Sequence, residues 1–68
     1  MEFKLKDEFI KLGQLLKACG LAENGVYAKL YIQNGEVKLN DEVCTQRGKK
    51  VKAGDVVEFN REVIKVTE

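Results

Sequence analysis

The chain has 68 residues, 44% of them hydrophobic and 34% charged, and its 12 basic and 11 acidic residues leave a net charge of +1. This length predicts a single domain, residues 1–68, with a thin core, because such a chain buries only about 60% of its unfolded surface. The composition excludes a disordered chain, and the thin core argues against a deep active-site cavity. The net charge alone argues against a nucleic-acid binder, which is usually more basic.

The first predicted elements are a short strand and a helix. In the segment 1–5 apolar and charged residues alternate, which is typical of a strand. From Glu8 to Cys19 the apolar residues recur with a helical period. We expect Asp7 to cap this helix with its carboxylate, and Gly20 to end it in a left-handed conformation.

A second helix is predicted at Gly25–Gln33, with Asn24 as its N-cap and Gly35 as the residue that ends it. Two short helices joined by a few residues predict an αα-hairpin. We place Tyr31 in the core and Tyr27 at its margin. For Tyr27, a role in packing against the core is favoured over stacking on a nucleotide base.

The remainder of the chain predicts a small antiparallel sheet with tight turns. The turn at Asn40-Asp41 has the two residues of a hairpin loop, and both residue types tolerate positive φ. A second turn is expected near Asn60-Arg61. The predicted strands are Glu36–Leu39, Glu42–Thr45, Lys49–Lys52, Val56–Asn60 and Val63–Thr67. The predicted fold class is therefore α+β, with an αα-hairpin packed on the sheet.

The residue types argue against catalysis. The chain has no histidine, so the usual general base near neutral pH is missing. Cys19 falls on the apolar stripe of a helix, and Cys44 lies near cations but has no base beside it. We therefore expect a protein without enzymatic activity, which has no cofactor, no metal site and no small-molecule substrate. The lack of a long apolar run leads us to expect a cytoplasmic protein without a signal peptide or a membrane span.

One charge pattern points to binding. Between Cys44 and Lys52 the chain holds four basic residues and no acidic one. Such a run is also typical of a solvated strand edge, whose charges keep the protein soluble, so both interpretations stay open at this point. The binding interpretation gains from Gly48 in the loop, because glycine lets a ligand approach the backbone. It also gains from lysines on the polar faces of other elements, which packing of the hairpin on the sheet could bring to the same surface.

The segment from Leu12 to Phe59 resembles the S4-type RNA-binding domain, also called the αL motif. The resemblance is carried by "LKACG" at the end of the first helix, "AKLYIQNGEVKLN" in the second helix and first hairpin strand, and "GDVVEF" near the end. The details "LGQLLK", "LND" and "RGKK" are similar to short stand-alone bacterial members, the YaaA/YbcJ-type proteins. The resemblance implies a non-catalytic protein that binds structured RNA, with ribosomal RNA or a ribosome-associated RNA as the expected target.

Position by position, the resemblance implies a set of RNA-binding residues. They are Lys29, Lys38, Asn40, Arg47, Lys49 and Lys50, with Lys17 as a weaker match. Asn40 also has a simpler role as a turn former. We expect a monomer whose partner is RNA.

Two functions other than RNA binding are considered from the sequence. A protein–protein interaction module would use the exposed edge of the strand Val63–Thr67. A β-grasp sulfur carrier is disfavoured, because its chemistry needs a C-terminal Gly-Gly and this chain ends in Val66-Thr67-Glu68.

Overall fold

Two helices lie on one face of a five-stranded sheet in the computed structural model, which describes residues 1–68. A second, two-stranded sheet pairs Ile10–Lys11 with Lys50–Val51. The predicted α+β class, with an αα-hairpin packed on a sheet, is confirmed. The elements in chain order are β1 (Glu2–Lys4), β2 (Ile10–Lys11), α1 (Leu12–Ala18), α2 (Gly25–Gln33), β3 (Val37–Leu39), β4 (Glu42–Val43), β5 (Lys50–Val51), β6 (Val56–Phe59) and β7 (Glu62–Thr67).

The large sheet has the strand order β1-β7-β6-β3-β4 and is mixed. The pairs β3–β4, β3–β6 and β6–β7 are antiparallel as predicted, whereas β1 runs parallel to β7 with Phe3 opposite Val66. Because β7 is hydrogen-bonded on both sides, the exposed edge predicted at Val63–Thr67 is wrong. The edges of this sheet are β1 and β4.

The start of the first helix also differs from the prediction. A helix from Glu8 with Asp7 as its cap is wrong, because α1 begins at Leu12 and its N-cap residue Lys11 makes no side-chain capping bond. The residues just before the helix are extended, since they pair with β5 to form the small sheet. The helix ends before Gly20, whose φ of +76° is the predicted left-handed conformation.

The second helix and the hairpin turns follow their local signals. The bounds of α2 are the predicted ones, and the Asn24 side chain accepts hydrogen bonds from the amides of Val26 (2.9 Å) and Tyr27 (3.0 Å). The turn residues Asn40 and Asp41 have φ values of 52° and 69°. Positive φ at both central residues is the geometry that matches the twist of a two-residue hairpin.

The core consists of 12 buried residues, all hydrophobic. Ten of them come from the two helices and from one face of the large sheet, and the other two are Ala22, between the helices, and Val51 in β5. We call that face the inner face, and the opposite one the outer face. Tyr31, predicted in the core, is half-buried and packs against it, with its ring 4.7 Å from that of Phe59 between centroids. The exposed Tyr27 stacks on Tyr31, so it packs at the margin of the core as predicted. Neither helix has the length and apolar character that a membrane crossing requires.

Candidate nucleic-acid interface

The two helices and the loop before β5 enclose a groove of about 340 Å³ that is rich in positive charge. Four of its lining side chains are cationic, and none of its lining residues is acidic or hydrophobic. We call this surface the basic groove. Its lining residues are Lys11, Gly13, Gln14, Lys17, Gly25, Lys29, Arg47 and Gly48.

Backbone hydrogen bonds hold the loop against the first turn of α1. The amide of Leu12 donates to the carbonyl oxygen of Lys49 at 2.9 Å, and the amide of Gly13 donates to that of Arg47 at 3.0 Å. Amides in the first turn of a helix have no partner within the helix, so the loop satisfies two of them. A Cβ added to Gly13 would lie 3.6 Å from the Arg47 carbonyl oxygen, which shows how closely the loop approaches. Arg47 is thereby fixed beside the helix.

Helical spacing brings the other polar residues to the groove. Gln14 and Lys17 are three residues apart on the exposed side of α1, whose opposite side is buried in the core. Gly25 and Lys29 are four residues apart on α2. Residues at these spacings share one side of a helix. Since both helices pack on the same core, these two sides meet at the groove.

The net positive charge of the molecule comes from this groove. With its four cations set aside, eight basic residues face eleven acidic ones, so the rest of the chain carries a net charge of −3. In the small sheet, Lys11 is also directly opposite Lys50. Two lysines directly opposite each other on paired strands repel and destabilise the pairing. A groove lined by positive charges alone attracts anions. The arrangement is therefore suited to an anionic ligand.

The structure brings together three of the residues expected from the sequence, namely Lys17, Lys29 and Arg47. It separates Lys38 from them. Lys38 lies on the outer face, opposite Glu58 and Val43, because its neighbours in β3 point into the core. The helices cover the other face of the sheet.

Lys49, at the end of the loop, and Lys50, the first residue of β5, have different surroundings. The Lys49 side chain lines a separate shallow depression that also includes Glu42. The Lys50 ammonium lies over the ring of Phe9, 4.8 Å from its centroid. Sequence reasoning missed two groove residues, Lys11 and Gln14. For Gln14 the available signal was its spacing of three residues from Lys17 on the exposed side of α1, whereas Lys11 is in β2 and is positioned by its pairing with β5.

Asn40 has the contacts of a turn-forming residue. Its side-chain amide nitrogen donates to Oδ1 of Asp55 at 3.1 Å, and its Oδ1 accepts from the amide of Val56 at 2.9 Å. Its own amide donates to the carbonyl oxygen of Val56 at 2.8 Å. Asn40 therefore joins the β3–β4 turn to the start of β6, and its side-chain polar atoms are engaged within the chain.

We expect the substitution Asn40→Ala to lower the free energy of unfolding by about 1–3 kcal/mol more than Asn60→Ala does. Asn60 has the same φ of 52° in the β6–β7 turn, but its side chain makes no such bonds. The difference therefore isolates two hydrogen bonds, each with a net value of about 0.5–1.5 kcal/mol. Urea denaturation followed by circular dichroism measures both values, and equal losses would show that the side-chain bonds contribute nothing.

Neither thiol has the surroundings of a nucleophile. Burial raises the pKa of the Cys19 thiol, an effect that the charge of the N-terminal ammonium partly offsets. This thiol is therefore mostly protonated near neutral pH, and the protonated form is the less reactive one. The Cys44 thiol contacts the carbonyl oxygen of Gln46 at 3.7 Å.

Comparison of the sequence with known proteins assigns the chain to one family. A family model described as "S4 domain" matches residues 3–67. The "Probable ribosome maturation protein RlbA" of Bacillus subtilis (strain 168) is 45% identical over 52 residues, which cover 76% of this chain and 73% of that protein. YbcJ of Escherichia coli (strain K12) is 39% identical over 54 residues, which cover 79% of this chain and 77% of YbcJ.

A solved structure agrees with the fold. The solution structure of YbcJ from E. coli, described as revealing an αL motif involved in RNA binding, has a TM-score of 0.75 to this chain at 35% sequence identity. The superposition covers 98% of this chain and 86% of the YbcJ chain.

Proposed function

Because the chain belongs to the S4 domain family, as the resemblance in its sequence implied, we propose that it binds structured RNA with the phosphate backbone in the basic groove. One observation carries the proposal. Four cations from three separate parts of the chain converge on one groove that has no acidic residue. YbcJ, whose αL motif is described as involved in RNA binding, has the same fold, which supports the choice of RNA as the anion.

The groove residues have complementary roles in this proposal. The planar guanidinium of Arg47 is suited to two parallel hydrogen bonds with one phosphate, whereas Lys11, Lys17 and Lys29 act as mobile point charges. Gly25 and Gly48 add little bulk, and a Cβ added to either would contact nothing within 4 Å. The phosphate backbone therefore has access to the groove floor.

We propose recognition of RNA by shape and backbone contacts, without catalysis. Helical RNA presents 2′-hydroxyls and phosphates in a wide, shallow minor groove, and proteins contact it mainly through these groups. Of the remaining residues expected from the sequence, Lys49 and Lys50 follow Arg47 and Gly48 in the chain but do not line the groove. Lys38 and Asn40 are outside it, so an RNA that also contacts them has to extend around the edge of the sheet.

The finer proposal concerns the RNA and its location. RlbA carries the name of a ribosome maturation protein, and on this similarity we propose ribosomal or ribosome-associated RNA as the target. We propose that the protein acts as a monomer, because a single groove of one chain supplies all four cations. The proposed RNA partner makes the cytoplasm its proposed location.

The test is a series of binding measurements with ribosomal RNA fragments and an unrelated hairpin between about 50 and 200 mM salt. If the groove neutralises four phosphates, the slope of log affinity against log salt is about −3 to −4, since each phosphate contributes about −0.9. Stronger binding to a ribosomal fragment than to the unrelated hairpin supports the finer proposal. A slope near zero, or no binding, contradicts the groove as an RNA site.

A further inference from the structure

A second, larger cleft adjoins the basic groove and differs from it in character. It has a volume of about 640 Å³, and half of its ten lining residues are hydrophobic. Such a volume is within the range of small-molecule sites, about 300–1,000 Å³. We call it the aromatic cleft. Its apolar residues are Phe3, Leu5, Phe9, Ile10 and Ala18.

The aromatic cleft and the basic groove share two residues, Gln14 and Lys17. A ligand can therefore lie in both without leaving the protein surface. Lys4 and Lys6 add two cations at the cleft, against the single acid Asp7. An apolar surface bordered by cations and continuous with a phosphate-binding groove is suited to a nucleotide, whose base is flat and apolar on its faces and whose backbone is anionic.

Phe9 is an aromatic residue of the cleft whose position is not explained by packing against the core. Phe3, Leu5 and Ile10 pack against the buried core, whereas Phe9 does not, although its side chain is half-buried. Its ring instead carries the Lys50 ammonium on one face. Phe9 lines the cleft, whereas Lys50 does not. The cation–π contact occupies one face of the ring, so the opposite face is the one that a stacked base would use.

We propose that the aromatic cleft takes the base of an unpaired nucleotide, stacked on Phe9, while its neighbouring phosphates lie in the basic groove. The proposal rests on the proposed function and adds that the target is a structured RNA with an unpaired nucleotide beside the helix. Proteins often read RNA through such unstacked bases, which stack on aromatic side chains.

The test uses two RNA hairpins with the same stem, one with a single bulged 2-aminopurine and one fully paired. The wild-type protein is expected to bind the bulged hairpin at least about fivefold more tightly. Phe9→Leu keeps the apolar volume but removes the ring, so it should weaken binding of the bulged hairpin by about 5- to 100-fold, as loss of one base–aromatic stack does. Its affinity for the paired hairpin should stay within about twofold. Phe9→Tyr keeps the ring and should retain both affinities.

The fluorescence of 2-aminopurine gives a second readout that a merely structural role of Phe9 does not produce. It should be quenched on saturation with wild type and with Phe9→Tyr, and remain unquenched on saturation with Phe9→Leu. Equal binding of the two hairpins by wild type, or equal weakening of both by Phe9→Leu, overturns the base site and leaves the groove proposal intact. If neither hairpin binds in a salt-dependent way, the groove proposal fails and the base site with it.

Discussion

Replacing Lys29 and Arg47 together with alanine is expected to weaken binding of structured RNA by about 30- to 150-fold. Each lost contact between a cation and a phosphate is worth about 1–1.5 kcal/mol, and 1.4 kcal/mol is a factor of ten. The salt slope should also flatten by about 2, since two phosphates are no longer neutralised. Fluorescence anisotropy of a labelled hairpin across the salt series measures both quantities.

The matched control removes two cations from the outer face, with Lys38→Ala and Lys65→Ala. Both residues are exposed there, and the change in net charge is the same. This variant should bind within about threefold of wild type. If the two double variants weaken binding equally, the effect comes from net charge alone and the groove is not the RNA site. Circular dichroism confirms that both variants fold.

Replacing Leu16 with alanine is expected to lower the free energy of unfolding by about 2.5–5 kcal/mol. Leu16 is fully buried in the core between helices and sheet, and removal of its side chain leaves a cavity that this small core fills only in part. A domain of this length has a total stability of only about 3–10 kcal/mol. The loss is therefore a large share of the total, so the variant should unfold at a much lower urea concentration than wild type, and it should lose RNA binding once it unfolds because the helices that form the groove separate.

Leu30→Ala is the control for this change. Leu30 is 45% exposed on α2, so its truncation should reduce stability by less than about 1 kcal/mol and leave RNA binding unchanged. Urea denaturation of both variants gives the two values. Similar losses for Leu16 and Leu30 would mean that the core described for this fold does not determine its stability.

Local signals predicted those parts of the fold that depend on nearby residues. The bounds of α2 follow from Asn24 and Gly35, which act within one turn of the helix ends. The start of α1 was mispredicted because Ile10–Lys11 pair with Lys50–Val51, far along the chain. The parallel pairing of β1 with β7 is equally remote. Alternation of apolar residues identifies a strand, but it does not identify the neighbour of that strand.

The same distinction applies to the groove. Lys17, Lys29 and Arg47 were expected because they occupy polar positions next to glycines or on exposed helix faces. Lys38 was grouped with them, although its apolar neighbours in β3 must face the helices and so turn Lys38 away. Lys11 was missed because its position beside the loop depends on the small sheet. Binding positions built by long-range pairing therefore need the structure.

An NMR titration of the ¹⁵N-labelled protein with an RNA hairpin tests directly whether the basic groove binds RNA. We expect the largest amide shifts at groove residues such as Gln14, Gly25 and Gly48. Amides of the outer face, for example those of Lys38 and Val63, should move little. Shifts centred on the outer face, with the groove amides unchanged, would contradict the claim that the basic groove binds RNA.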